Sequence, residues 1–258
     1  MSNTKKSARI ICLSNHKGGV GKTCSTCNIG AGISLRGKRT LLIDLDPQSN
    51  LSLSLGVKDV GKTIYQVLMG IYPIKESIYN IMENLDIIPS TLDLAGAELE
   101  LSSEAGREVI LREVLEDILD LYDYILIDCS PSLSLLTTNA LTASAEVLIP
   151  LQAQYLSLQG ITKLTTIIEK IQKRLNKNLK IGGVFITQFD SRKVLNRDIA
   201  EAIEKHFGSI VFKTRIRDNV ALAESPGHGK DIFRYSPKSN GSIDYANLCE
   251  EILNRHHY

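Results

Sequence analysis

Short apolar runs bounded by turn residues recur along the chain, and apolar positions at helical spacing fill the stretches between them. Residues 10–13, 40–43, 85–88, 124–127, 146–149, 181–187 and 210–212 read as buried strands, with Pro89 and Pro150 closing the third and fifth. Helices are expected over 23–35, from Thr63 within 58–79, from a Ser90 or Thr91 cap through Leu101, and over 196–207 and 242–254. A further helix over 106–122 would turn Val109, Ile110, Val114, Ile118 and Leu121 to one side. Another would carry Leu156, Ile161, Leu164, Ile168, Ile171 and Leu175. Residues 49–56 read as polar and flexible, and 231–240 as irregular. Strands separated by crossover helices predict an α/β fold, a mostly parallel twisted sheet with helices on both faces. No repeat, low-complexity tract or polar linker divides the chain, so one domain is expected over residues 1–258, with 1–8 as a flexible arm.

The composition narrows this only slightly. A formal net charge of +1 provides no global field toward nucleic acid or acidic lipid, so any polyanion contact must come from a local patch. Cys12, Cys24, Cys27, Cys129 and Cys249 are odd in number and sit in apolar segments, as reduced thiols of a cytosolic protein do. Cys24 and Cys27 form a C-x-x-C inside a helix with no second pair at metal spacing, which predicts packing and not ligation. The polar start is no signal peptide. No apolar run approaches the ~18 residues that span a bilayer.

The chemistry concentrates in Asn15-His16-Lys17-Gly18-Gly19-Val20-Gly21-Lys22-Thr23, between the first strand and the first helix. A strand, a glycine-rich turn and a helix start together make a phosphate cradle, in which freed backbone N–H groups and Lys22 face one anion. Thr23 supplies the hydroxyl that such loops place on Mg²⁺. The strict P-loop pattern asks for glycine at His16. In its place a second lysine, Lys17, precedes a Gly-Gly pair.

This Lys-Gly-Gly-x-x-Lys-Thr form resembles the deviant Walker A loop of the ParA/MinD family of P-loop ATPases. The resemblance implies ATP and Mg²⁺ bound by Lys17, Gly18, Gly19, Val20, Gly21, Lys22, Thr23 and Cys24. It also implies hydrolysis of ATP, with Lys22 and Lys17 catalytic and Lys17 reaching a partner subunit's nucleotide. Asp128, after the apolar run 124–127, fits the Walker B position. Asp44-Leu45-Asp46-Pro47-Gln48 resembles the family's Walker A′ switch, so Asp46 is expected to place the attacking water. Thr23, Asp44 and Asp128 are expected around the metal.

Residues 122–128, 222–230 and 235–242 extend the resemblance to the ParA/Soj chromosome- and plasmid-partition ATPases over nearly the whole chain. It implies a homodimer closed by ATP, non-specific binding to double-stranded DNA, a ParB-like adaptor that stimulates hydrolysis, and a cytoplasmic, nucleoid-associated protein. Relatives read Ile-Pro-Arg-Asn where this chain has Ile216-Arg217-Asp218-Asn219, so Asn219 carries over as an adenine contact and Arg217 only through its backbone. Expected DNA contacts are Arg192, Lys173, Arg174, Arg217 and Arg255. A MinD-like membrane-surface protein is the rival reading. Such proteins end in a basic amphipathic helix, whereas the terminal helix here carries Asp244, Glu250 and Glu251 against Arg255, and no membrane partner is expected. Iron–sulfur reductases and small-molecule ligases share the loop, and paired cluster cysteines for the former are missing.

Overall fold

The structure, a computed structural model, describes residues 7–154 and 157–255. The described strands are β1 (Arg9–Leu13), β2 (Thr40–Leu45), β3 (Tyr79–Met82), β4 (Leu85–Ile88), β5 (Tyr124–Cys129), β6 (Glu146–Gln152), β7 (Lys180–Phe189) and β8 (Val211–Arg217). They form one sheet in the order β3-β4-β2-β5-β1-β6-β7-β8, parallel throughout except for the β3–β4 pair. The helices are α1 (Lys22–Ser34), α2 (Asn50–Ser54), α3 (Ile64–Leu68), α4 (Leu94–Glu100), α5 (Ile110–Leu115), α6 (Leu135–Ala143), α7 (Ser157–Arg174), α8 (Val194–Phe207), α9 (Val220–Glu224), α10 (Ile232–Tyr235) and α11 (Asn240–Asn254).

Strand alternation divides the interior into two cores, one on each face of the sheet. Ile10 and Cys12 of β1, Leu41 and Ile43 of β2, and Ile125 and Ile127 of β5 pack with α3 to α8. Their neighbours Ile11, Leu13, Leu42 and Leu126 face the other way, onto α1 and α11. With both faces covered, the central strands carry apolar residues almost continuously, the pattern from which the fold class was legible. Cys12, Cys27, Cys129 and Cys249 are buried free thiols within these layers.

Several elements differ from the sequence expectation. The stretch expected to be flexible at 49–56 holds α2, with Leu51 and Ser52 buried, because Asp44 accepts hydrogen bonds from Ser52 and pulls the turn onto β2. The helix expected over 106–122 is confined to α5 and a single 3-10 turn, Glu116–Ile118. It buries Leu111, Leu115 and Ile118, leaving Leu121 40% exposed. α4 begins three residues beyond Thr91, which instead closes a turn by accepting the Leu94 N–H. The segment 231–240 contains α10, capped by Asp231, whose side chain accepts the Phe233 and Arg234 N–H groups. β3 and α6 have no counterpart in the expectation.

Pro150 does not end β6. β1 pairs with β6 only as far as Leu148, and the Pro150 carbonyl on that side accepts from Asn15 Nδ2 at 2.8 Å. The missing proline N–H therefore falls where no neighbouring strand asks for it. Of the expected arm, residues 1–6 lie outside the described residues, whereas Ala8 is buried and donates its N–H to the Leu119 carbonyl. On α7, Leu164, Ile168 and Ile171 are buried as the spacing predicts. Leu156 and the Ile161 side chain lie outside the described residues.

Candidate functional site

β1, β5 and β2 lie side by side, and their register sets Leu13 against Asp128 and Asp128 against Asp44. The loop after β1 and two of the three expected carboxylates therefore meet in one row at the carboxyl edge of the sheet, where parallel sheets bind ligands.

Gly19 and Gly21 both adopt left-handed backbone, at φ 73° and 87°, and Gly21 is the N-cap of α1. Side chains from β6 and β7 hold the loop from behind. Gln152 Nε2 and Gln188 Nε2 donate to the Gly19 carbonyl at 2.7 and 3.1 Å, and Thr187 Oγ1 donates to the Val20 carbonyl at 2.9 Å. In a trans peptide the N–H points opposite to the C=O. Clamping those two carbonyls thus turns the Val20 and Gly21 N–H groups away from the sheet ends, as an anion cradle requires. Gln188 itself sits at φ 51°, unusual for a residue with a side chain, near the end of β7 where its amide reaches the loop.

A groove of about 490 Å³ opens beside this turn, lined by Gly18, Lys22, Thr23, Asp46, Asn50 and Pro226 among others. Lys22 is 7% exposed, and its ammonium donates to the Lys17 carbonyl at 3.3 Å. Burial pushes its pKa down, while the charge of Asp128 pulls it back up. The Lys17 side chain does not line the groove. Its Nζ donates to Gln154 Oε1 at 3.1 Å, beyond the end of β6.

Asp128 is fully buried. Its Oδ1 accepts from Thr26 Oγ1 at 3.3 Å, and its Oδ2 has no hydrogen-bond partner. Burial, with the neighbouring charge of Asp44, pushes this carboxyl up to about 8 against the opposing pull of Thr23 and Lys22. Asp44, expected in the metal shell, has both oxygens engaged. Oδ2 accepts from Ser52 N at 2.8 Å and Oγ at 2.7 Å, and Oδ1 from Asp46 N at 3.3 Å. Ser52 Oγ in turn accepts from Ser90 N at 3.1 Å, so Asp44 ties β2 to α2 and to the loop after β4. Asp46 accepts from Gln48 N at 2.9 Å and faces both the groove and a smaller cleft of about 240 Å³.

A cavity of about 180 Å³ adjoins the groove through the shared residues Gly21 and Cys24, and includes Thr187, Arg217, Asn219 and Tyr245 in its wall. Asn219 caps α9, its Oδ1 accepting from Ala221 N at 2.9 Å. The Arg217 guanidinium grips Asp244, with Nη2 to Oδ1 at 2.6 Å. The floor is Tyr245, whose hydroxyl meets Ser25 Oγ at 2.9 Å. Segment 225–229 closes the front: Gly229, at φ 63°, lies so near Gly56 that a Cβ on it would come within 3.0 Å of the Gly56 Cα. Pro226 is thereby brought to the groove.

Every described nucleotide-contact residue expected from the sequence thus borders these two cavities or the loop that joins them, Lys17 turned aside. The basic residues expected at DNA are spread over different elements. Lys173 and Arg174 end α7. Arg192 is 89% exposed and forks onto its own Asp190 at 2.9 Å. Arg255 stacks 3.7 Å over the Phe212 ring and donates to the carbonyls of Gly182, Ile210 and Val211. Gln152, Thr187, Gln188, Ser52 and Tyr245 were not anticipated. The one local signal was polar residues directly after long apolar strands.

Comparison with known proteins places the chain in a defined neighbourhood. The model of the AAA domain family matches residues 8–181. The chromosome-partitioning ATPase Soj of Treponema pallidum is 44% identical over 93% of this chain and 95% of that protein. The sporulation initiation inhibitor protein Soj of Bacillus subtilis is 45% identical over 95% and 98%. Among solved structures, cobyrinic acid a,c-diamide synthase from Mycobacterium smegmatis with bound ADP and magnesium is 33% identical, with a TM-score of 0.85 over 95% of this chain and 94% of that one. The cell division ATPase MinD of Pyrococcus furiosus is 28% identical, with a TM-score of 0.81 over 96% and 100%.

Proposed function

The chain belongs to the Soj/ParA family of partition ATPases within the AAA domain family, and from that premise we propose that it works as an ATP-closed homodimer. The dimer binds duplex DNA without sequence preference and is driven through its cycle by a ParB-like adaptor. The observation that carries this reading is the division of labour between two lysines of one loop. Lys22 stays in its own groove, while Lys17 is turned out of it toward Gln154. A cation held outside its own site is available to a second subunit's phosphates, where a charge supplied in trans accelerates phosphoryl transfer by roughly 10³-fold or more.

Within one subunit, the Val20 and Gly21 amides and Lys22 hold the phosphates, and Asp46 orients the attacking water. The base lies in the cavity over Tyr245, against Cys24, Asn219 and the backbone of Arg217. The residues fit a divalent cation beside the phosphates, since Asp128 Oδ2 is a buried carboxyl oxygen without a hydrogen-bond partner. Among the described residues no group of three or more His, Cys, Asp or Glu side chains could hold a metal unaided. Thr23 and Asp128 would therefore share Mg²⁺ with phosphate oxygens, as is usual for this ion, and the cation would neutralise phosphate charge. Asp44 is assigned to holding the switch turn through Ser52.

For DNA we retain Arg192, Lys173 and Arg174. Arg192 forks onto Asp190 but stands 89% exposed, whereas Arg217, 44% exposed and held by the buried Asp244, and Arg255, spent on backbone carbonyls, are left out. A weak patch on each subunit becomes a strong site when two are joined, which couples DNA binding to ATP and places the dimer on the nucleoid in the cytoplasm. The membrane-surface alternative requires a free amphipathic helix. α11 instead buries Tyr245, Leu248, Cys249 and Ile252 in the second core, and no helix among the described residues is long and apolar enough to cross a membrane.

Retention on arbitrary duplex in rising salt tests the proposal. Binding is expected with ATP and not with ADP. It should fall steeply between roughly 50 and 200 mM salt. Equal retention without nucleotide would overturn it.

A further inference from the structure

One wall of the 180 Å³ cavity is made by a stretch with little rigidity of its own. Segment 216–223 runs from the end of β8, at the edge of the sheet, through a two-residue turn into the five-residue α9, which buries none of its residues. A strand end with a neighbour on one side only, followed by so short a helix, opens readily unless something outside it holds it. Yet Ile216, Arg217, Asp218, Asn219, Leu222 and Ala223 all line the cavity.

Two contacts fasten this wall to α11. Leu222 lies over Gly241, where a Cβ would stand 2.8 Å from the Leu222 Cγ, so the approach needs a glycine. The stronger contact is Arg217 with Asp244. The guanidinium forks onto the carboxylate, Nε to Oδ2 at 2.9 Å and Nη2 to Oδ1 at 2.6 Å, and the Arg217 N–H donates to Oδ2 at 2.9 Å. Three charge-assisted bonds thus fix the backbone of Arg217 as well as its side chain. Asp244 is buried, and the residue after it is Tyr245, the cavity floor, whose hydroxyl meets Ser25 of α1 at 2.9 Å. Two consecutive residues of α11 therefore join the wall to the helix that begins at the glycine loop.

We propose that Arg217 and Asp244 are a positioning pair for the base of the nucleotide. They hold the cavity wall against its floor, so that affinity for the base depends on them and the chemistry at the phosphates does not. The inference rests on the assignment of this cavity to the base within the ATPase reading above. The division follows from the lining of the two cavities. The phosphate groove takes in the glycine loop, Asp46 and Pro226, and neither member of the pair nor any other residue of the wall. A loosened wall costs base contacts and leaves Lys22 and Asp46 in place.

The test measures ATP binding by calorimetry, and turnover, for the parent, Asp244→Ala, Arg217→Ala and the double variant. Arg217→Ala strands a buried carboxylate; should it fail to fold, Asp244→Ala, which leaves the arginine in water, carries the test. Each single change should weaken ATP binding roughly tenfold, and the double variant should be no weaker than either, because the second change removes nothing further. In Asp244→Ala the KM should rise by the same factor, with kcat at saturating ATP within about twofold of the parent. Its binding of inorganic tripolyphosphate, which has no base, should match the parent's. A purely structural role would lower the melting temperature without this split. Unchanged ATP binding in Asp244→Ala, losses that multiply in the double variant, or equal weakening of ATP and tripolyphosphate would each overturn the pair. Unchanged ATP binding with weaker retention on duplex in Arg217→Ala would give the arginine to DNA and overturn it too. A parent that binds ATP no better than tripolyphosphate would refute the base assignment and the inference with it. Calorimetry needs no hydrolysis, so a chain that binds ATP without turning it over would refute the proposed function and leave the effect of the pair on binding to stand or fall by itself.

Discussion

Asp44 shows how far a single residue can be read from sequence. Its motif gave its place, at the end of a strand beside a second acid. Apart from the Asp46 N–H, its partners lie eight and more residues away, in Ser52 and through it Ser90, and no spacing rule announces them. Burial raises the Asp44 carboxyl from the ordinary 3.8 to about 6, with the Ser52 donors opposing the rise. Between those values the folded chain keeps a proton that the unfolded chain has released. The stability of the nucleotide-free protein should therefore fall as pH climbs from about 4 to 6. Ser52→Ala removes one donor to Asp44 and the acceptor of the Ser90 N–H, so it should cost about 1–3 kcal/mol and steepen that fall. Urea unfolding at several pH values reads both effects, and a variant as stable as the parent at pH 7 would contradict them. The same limit hid Gln152 and Gln188, which reach the loop across more than a hundred residues. Lys17, Lys22 and Thr23 were legible because their geometry is local, set within one strand–turn–helix.

At the scale of elements, the parallel strands were legible because burial on both faces leaves continuous apolar runs. The face of α5 was not. Val109, Ile110, Val114, Ile118 and Leu121 offer one apolar stripe and Leu111, Leu115 and Ile118 another that shares only Ile118 with it, and only the packed neighbours choose the second. α2 was hidden for a related reason, since its stability comes from the Asp44 contacts and not from its own polar sequence. The joint between α2 and segment 225–229 depends on two glycines in contact. Gly229→Ala adds a Cβ at 3.0 Å from the Gly56 Cα and at φ 63°, where a side chain is strained. A loss of roughly 1 kcal/mol or more is expected, together with weaker ATP binding because Pro226 is displaced from the groove. Thermal unfolding with and without ATP separates the two, and an unchanged ATP-induced shift would refute the link to the groove.

For the whole molecule, the groove proposed for the phosphates and the cavity proposed for the base adjoin through Gly21 and Cys24, and the Lys17 side chain is turned away from them toward Gln154. In the proposed dimer, closure by a second copy would give that lysine an anionic partner and couple the nucleotide to DNA binding. Lys22→Gln should fold normally and bind ATP poorly by calorimetry, since it removes the one lysine lining the groove among the described residues. Lys17→Gln should keep its affinity for ATP and lose turnover. Asp46→Ala should bind ATP and stay dimeric without hydrolysing it.

The central claim, a lysine working in its neighbour's site, is tested most directly by mixing two inactive proteins, Lys17→Gln and Asp46→Ala, and measuring ATP turnover. If Lys17 acts in trans, the mixed dimer rebuilds one complete site, with Asp46 from one chain and Lys17 from the other. Turnover should then recover to about a quarter of the parent rate on random assortment. If the mixture stays as inactive as its components while sedimentation shows mixed dimers, Lys17 does not serve the partner and the account is wrong.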